Sequence, residues 1–211
     1  MTTKKSIWYF SKQEKIDLLI SWLTLSLAFA VVISPIFLGI PEFIISFPIA
    51  LIAVGTGFVL HEMAHRQMAR HFGFHSEYRA WYPGLVFAFF LALITKGAFI
   101  FAAPGATYFF GETVTTQQEG KISIAGPITN LVVGFILIFL FLFSHSSFWQ
   151  IVLIKSALIN FWFAAFNLIP FGPLDGAKVM KWNSRLWILV FAISALLALF
   201  PIQIFTVLNL I

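Results

Sequence analysis

Apolar residues run in long stretches separated by short polar punctuation. Stretches of about 20 apolar residues can cross a bilayer as helices. Four such runs cover residues 18–40, 43–70, 122–143 and 151–169, and a fifth, 186–211, reads as one more crossing, kinked at Pro201. Residues 84–110 break the rhythm, because Lys96-Gly97 and Pro104-Gly105 cut them into pieces too short for a helical span. Their Phe-rich, Gly/Pro-punctuated pattern suits a re-entrant hairpin or short strands buried against protein; a single crossing at 84–103 is the rival reading. The expected fold is an all-α polytopic membrane protein of about five to six transmembrane helices, with a re-entrant or β-hairpin segment after the second. Residues 1–211 read as one domain, with a core at 43–185 and peripheral spans at 18–40 and 186–211.

Charge gives the runs a direction. Lys4, Lys5, Lys12 and Lys15 precede the first run, which is too long for a signal-peptide core and has no small-residue cleavage site. The N-terminus is therefore expected in the cytoplasm of a multi-pass cell-membrane protein. Arg66, Arg70, His71 and Arg79 mark the inner end of the second run, and Lys178, Lys181 and Arg185 that of the fourth. The uncharged loop 144–150 fits the outer side.

Composition agrees with the pattern. Of 211 residues, 60% are hydrophobic and 10% charged, and the mean hydropathy is +0.96. A soluble domain carries about 25% charged residues. The formal net charge of +5 forms no basic stripe with interleaved aromatics, so nucleic acid is not an expected partner. There is no cysteine, so any zinc must use His and carboxylate ligands.

The chemistry is concentrated in His61-Glu62-Met63-Ala64-His65, an HExxH pattern near the end of the second run. On an α-helix, residues four apart lie about 40° apart in angle and about 6 Å in height. His61 and His65 can thus share one metal ion, with Glu62 placed to hold a water bound to it. A catalytic zinc takes three protein ligands and a water, so one ligand is missing. His71 is about 15 Å further along the helix than His61 and about 80° round, out of reach of the same ion. Glu77, Glu112 and Glu119 read as solvated loop charges, and Glu42 lies on the outer side.

Asp175 is the remaining candidate. Only two aspartates occur, and the other, Asp17, flanks the first run among lysines. Asp175 closes the Pro- and Gly-punctuated end of the fourth run, where an ionisable group points to function. For Asp175 to reach the depth of His61 and His65, the chain between them must cross the bilayer an even number of times. The third and fourth runs supply two crossings, so residues 84–110 must enter and leave on one side. The single-crossing reading would carry Asp175 and its following lysines to the far face.

With the motifs assembled, the sequence resembles the site-2 proteases, membrane-embedded zinc metalloproteases that cleave other membrane proteins in or near the bilayer. The resemblance covers about residues 45–185. It rests on His61, Glu62 and His65; on Gly126-Pro127-x-x-Asn130; and on Asn167-x-x-Pro170 with Leu174-Asp175-Gly176. The PDZ insertion and nucleotide-sensing C-terminal domain of some members are not seen in this sequence. The resemblance implies one Zn2+ per chain, held by His61, His65 and Asp175, with Glu62 as general base in peptide hydrolysis. The implied partners are a transmembrane protein or peptide substrate and the lipid bilayer, with the active site near the cytoplasmic side. Asn167 is a candidate hydrogen-bond donor to the scissile carbonyl, with an interhelical contact as its alternative; Asn130 could instead hold the third span against the site. The rival class is a non-catalytic divalent-metal membrane transporter using the same ligands.

Overall fold

The computed structural model describes residues 9–34, 39–100, 104–110 and 113–200. Lys4, Lys5, Glu112, Pro201 and the end of the last expected span lie outside the described residues. The chain is mostly helical. Four helical segments are long and apolar enough to cross a membrane: Lys12–Ile33, Ile40–His71, Thr116–Phe143 and Ser147–Asn167. The first is α1, where Ser11 caps the helix by accepting from the Glu14 amide at 3.2 Å. The second comprises α2 (Ile40–Val54), a π-helical turn (Gly55–Val59) and α3 (Leu60–His71). The third is α5 (Thr116–Phe143), opened by a Thr115/Gln118 capping box, and the fourth is α6 (Ser147–Asn167).

Segment 84–110 combines a helix and a strand and is not a β-hairpin in itself. It contains most of α4 (Tyr82–Ile94) and the strand β2 (Gly105–Phe110), which pairs antiparallel with β1 (His75–Ala80), a strand before the segment begins. Ala80 faces Gly105, and the Trp81 amide donates to Pro104 O at 2.7 Å, so the excursion through α4 returns to its starting point. The 13-residue α4 is apolar throughout, which gave no periodicity from which to separate helix from strand.

After α6, a loop leads into α7 (Asp175–Trp182) and then α8 (Ser184–Leu199). Asp175 thus opens a short helix instead of closing α6. Gly176 is pressed against the loop: a Cβ there would strike the Leu168 carbonyl.

Small residues let the helices approach closely. Ala30, Ala50 and Ala53 are buried where α1 meets α2, Ala28 and Ala92 are buried together where α1 meets α4, and the Trp22 indole donates to Leu51 O at 2.9 Å. The helix α6 serves two cores. Its Ile159 and Phe163 pack with α1, α2 and Tyr78, while Ala157, Phe161 and Ala164 pack with α5 and α8.

The first element is also tied to the metal-motif helix. Glu14 and Arg66 are both fully buried and paired, Arg66 Nε donating to Glu14 Oε1 at 2.7 Å. The same oxygen accepts from the Tyr78 amide at 3.2 Å, joining α1, α3 and β1. Arg66 also reaches Tyr9 O and lies 3.8 Å from the Phe10 ring centre. Arg66 is therefore an internal ion-pair partner and not the membrane-flanking cation its position suggested. Tyr78 is buried too, which pushes its phenol above its usual range and keeps the hydroxyl as a donor to Ser21 Oγ at 2.9 Å.

Candidate metal centre

Residues of α3, β2, α5, α6 and α7 line one cavity around the histidines. His61 and His65 project from α3 toward α5 and α7, with their Nε2 atoms 2.9 Å apart. Asp175 Oδ2 lies 3.3 Å from His61 Nε2 and 3.0 Å from His65 Nε2. All three residues are buried. The carboxylate also sits in the first turn of α7, where the helix dipole favours negative charge.

The partners of the outer ring nitrogens assign the tautomers. His65 Nδ1 is 2.7 Å from Ile122 O, a carbonyl that can only accept, so Nδ1 carries the hydrogen. His61 Nδ1 is 2.6 Å from Asn130 Oδ1. The Asn130 amide nitrogen donates to Gly57 O at 2.7 Å and to Asn160 Oδ1 at 3.1 Å, which turns its oxygen toward His61. With both rings neutral, as metal ligands must be, each points an Nε2 lone pair at the Asp175 carboxylate oxygen. Three acceptors this close, buried and without a hydrogen among them, repel unless a cation stands between them. A tetrahedral ion with bonds of about 2.0–2.1 Å would separate its ligand atoms by about 3.3 Å. The observed spacing fits, tightened slightly, and a nitrogen–nitrogen–oxygen set without sulfur suits zinc.

Gly126 makes room for this arrangement. A Cβ on it would lie 2.5 Å from His65 Nε2 and 2.6 Å from His61 Nε2. Pro127 follows inside α5 and offers no amide hydrogen to Ser123 O. The motif glycine therefore acts by having no side chain.

Glu62 lies beside this group, 7% exposed, in the same cavity. Thr107 on β2 donates to Glu62 Oε2 at 2.8 Å. Asn167, the last residue of α6, lines the cavity and donates its amide to Phe163 O at 3.0 Å. The structure thus brings His61, His65, Asp175, Glu62 and Asn167 around one space. Two of the discounted residues stay apart from it. His71 is exposed at the end of α3, and Glu77 is engaged with His75, Arg79 and Ser11 on β1. Sequence reasoning missed Thr107, Asn160 and the Ile122 carbonyl. A lone Asn inside an apolar helix was a legible signal for Asn160; Thr107 and a backbone carbonyl offered none.

Fold and site together define a multi-helix membrane protein with a buried two-histidine, one-aspartate metal centre. A Methanocaldococcus jannaschii protein provisionally named a zinc metalloprotease is 43% identical over 187 residues, covering 88% of this chain and 92% of the relative. A Bacillus subtilis protein, also provisionally named a zinc metalloprotease, is 26% identical over 64% of this chain and 68% of its own length. A second M. jannaschii protein, named a zinc metalloprotease, is 26% identical over 58% of this chain, which spans only 30% of that relative. No family model and no solved structure matches. The chain belongs to this family of zinc metalloproteases, and Zn2+ is its metal.

Proposed function

We propose that this metalloprotease works inside the membrane, hydrolysing peptide bonds of membrane-spanning or membrane-anchored proteins in the manner of the site-2 proteases. The observation that carries this reading is the placement of a general-base candidate, Glu62, beside the His61–His65–Asp175 group on helices apolar enough to span a bilayer. Residues 1–211 act as one peptidase domain in the cell membrane, with the N-terminus and the site toward the cytoplasm. Substrate and lipid are its partners; nucleic acid is not. The relatives' names weigh for hydrolysis over the metal-transport alternative.

His61, His65 and Asp175 hold the zinc. When bound, zinc supplies Lewis acidity, making water a competent nucleophile at neutral pH and polarising a carbonyl. Glu62 takes the proton of the attacking water and returns it to the leaving amine as the C–N bond breaks. The Thr107 hydroxyl fixes Oε2 of that carboxylate and leaves Oε1 for the proton. Asn167 spends one amide hydrogen on Phe163 O and presents the second to the scissile carbonyl oxygen as charge develops there. A membrane substrate arrives as a helix and must be extended before it is cut. One edge of β2 is paired with β1, and β2 borders the cavity, so its other edge can take an extended segment by strand addition.

The test is cleavage of a transmembrane peptide by protein in bilayers, with and without chelator. Activity lost on chelation and restored by zinc is expected. Glu62→Gln is expected to retain zinc and lose at least about 100-fold in rate. Undiminished cleavage by that variant would remove Glu62 from its role.

A further inference from the structure

A buried polar chain runs away from the metal centre into the helix bundle. His61 Nδ1 donates to Asn130 Oδ1, Asn130 Nδ2 donates to Asn160 Oδ1, and Asn160 Nδ2 donates to Thr56 Oγ1 at 3.1 Å and to Ser156 O at 2.9 Å. Asn130 and Asn160 are both 0% exposed. Neither takes part in the proposed chemistry, and Asn160 touches neither ligand nor base.

An asparagine is useful to His61 only in one orientation. With Oδ1 toward His61, Nδ1 must carry the hydrogen and Nε2 keeps the lone pair that binds metal. With the amide reversed, the NH2 group would face Nδ1 and favour the tautomer whose Nε2 is blocked by hydrogen. Two acceptors, Gly57 O and Asn160 Oδ1, hold the Asn130 nitrogen away from His61. Asn160 itself cannot turn, because its own nitrogen is held by Thr56 and Ser156 O.

The backbone is shaped to serve this chain. Thr56 and Gly57 belong to the π-helical turn Gly55–Val59, immediately before the metal-binding stretch of α3. A π-turn disrupts the regular helix pairing and leaves carbonyls open to side-chain donors. Gly57 lets α6 come close: a Cβ there would lie 2.9 Å from Phe163 and 3.7 Å from Asn160 Nδ2. This local disruption near a functional site gives Asn130 one acceptor and Asn160 another.

We propose that Asn160, braced by Thr56 of the π-turn, is a positioning residue that fixes the Asn130 amide and, through it, the metal-binding tautomer of His61. The inference rests on zinc being held by His61, His65 and Asp175. Nothing in it depends on the identity of the protein substrate.

The experiment measures zinc affinity of the purified full-length protein by chelator competition, and the visible absorption of its Co2+-substituted form. Asn160→Leu fills the space of the side chain and removes the acceptor. It is expected to weaken zinc binding by about tenfold and to alter the cobalt spectrum. Thr56→Val removes only the brace and is expected to weaken binding by a smaller factor. In an Asn130→Leu background no amide remains to be oriented, so adding Asn160→Leu is expected to produce no further loss. Native zinc affinity in Asn160→Leu would overturn the proposal, as would fully additive losses in the double variant, which would mean that Asn160 acts through packing. If Asn160→Leu fails to fold, Thr56→Val decides: native affinity and a native cobalt spectrum in that variant overturn the proposal. A wild-type protein without zinc affinity would instead refute the metal centre itself.

Discussion

At His61, His65 and Asp175 three lone pairs meet in a buried space, and what keeps them there lies one layer out. Asn130 and the Ile122 carbonyl fix the rings, and the bare Cα of Gly126 lets α5 lie against both. Gly126→Ala puts a methyl group 2.5 Å from His65 Nε2, so it is expected to lower zinc affinity by at least about tenfold, read by chelator competition on folded protein. Asp175→Asn keeps the shape and gives up the anionic ligand. A drop in zinc content is expected from elemental analysis, and a full complement of zinc would reassign the third ligand. The ligands and the base were legible because their chemistry is written in residue types: HExxH gives a geometry, and a rare aspartate at a membrane boundary calls for a reason. Thr107 was not legible, because its contact with Glu62 depends on a strand returning from 45 residues away.

The four long helices emerge from hydropathy because crossing a bilayer requires an uninterrupted apolar run. Three shorter features did not emerge. The π-turn differs from an α-turn only in hydrogen-bond register, for which Gly55 and Gly57 are weak hints. The eight-residue α7 sits in a stretch that reads as loop between apolar runs, and so Asp175 was placed at the end of α6 and not at the start of α7. Arg66 looked like a flanking charge because sequence shows a charge but not its partner, Glu14, 52 residues away. Glu14→Ala leaves Arg66 buried without this partner. It is expected to destabilise the fold by about 3–5 kcal/mol, measured as loss of resistance to denaturant. A change below about 1 kcal/mol would mean that the pair is not what ties α1 to α3.

Across the whole molecule the elements meet at one end. The start of α1, the end of α3, the start of α5, the end of α6 and the start of α7 are linked through Glu14–Arg66, His65–Ile122 and the cavity residues Asn167 and Asp175. The strands that flank α4 pair with each other, Ala80 facing Gly105. If that common end faces the cytoplasm, the loop between α5 and α6 faces outward. The chain has no cysteine, so single replacements can report this directly. Ser146→Cys is expected to react with a membrane-impermeant thiol reagent on intact cells, and Gln117→Cys only after permeabilisation. The reverse pattern would invert the proposed topology.

The central claim is that this zinc centre cuts peptide bonds within membrane substrates. Its most direct test is mass analysis of a transmembrane substrate incubated with the zinc-loaded protein in bilayers. The expected result is two fragments with new termini inside or at the edge of the span, absent with chelator and with Glu62→Gln. An intact substrate, from protein carrying about one zinc per chain in its native fold and tested across a panel of membrane-spanning sequences, would contradict the claim.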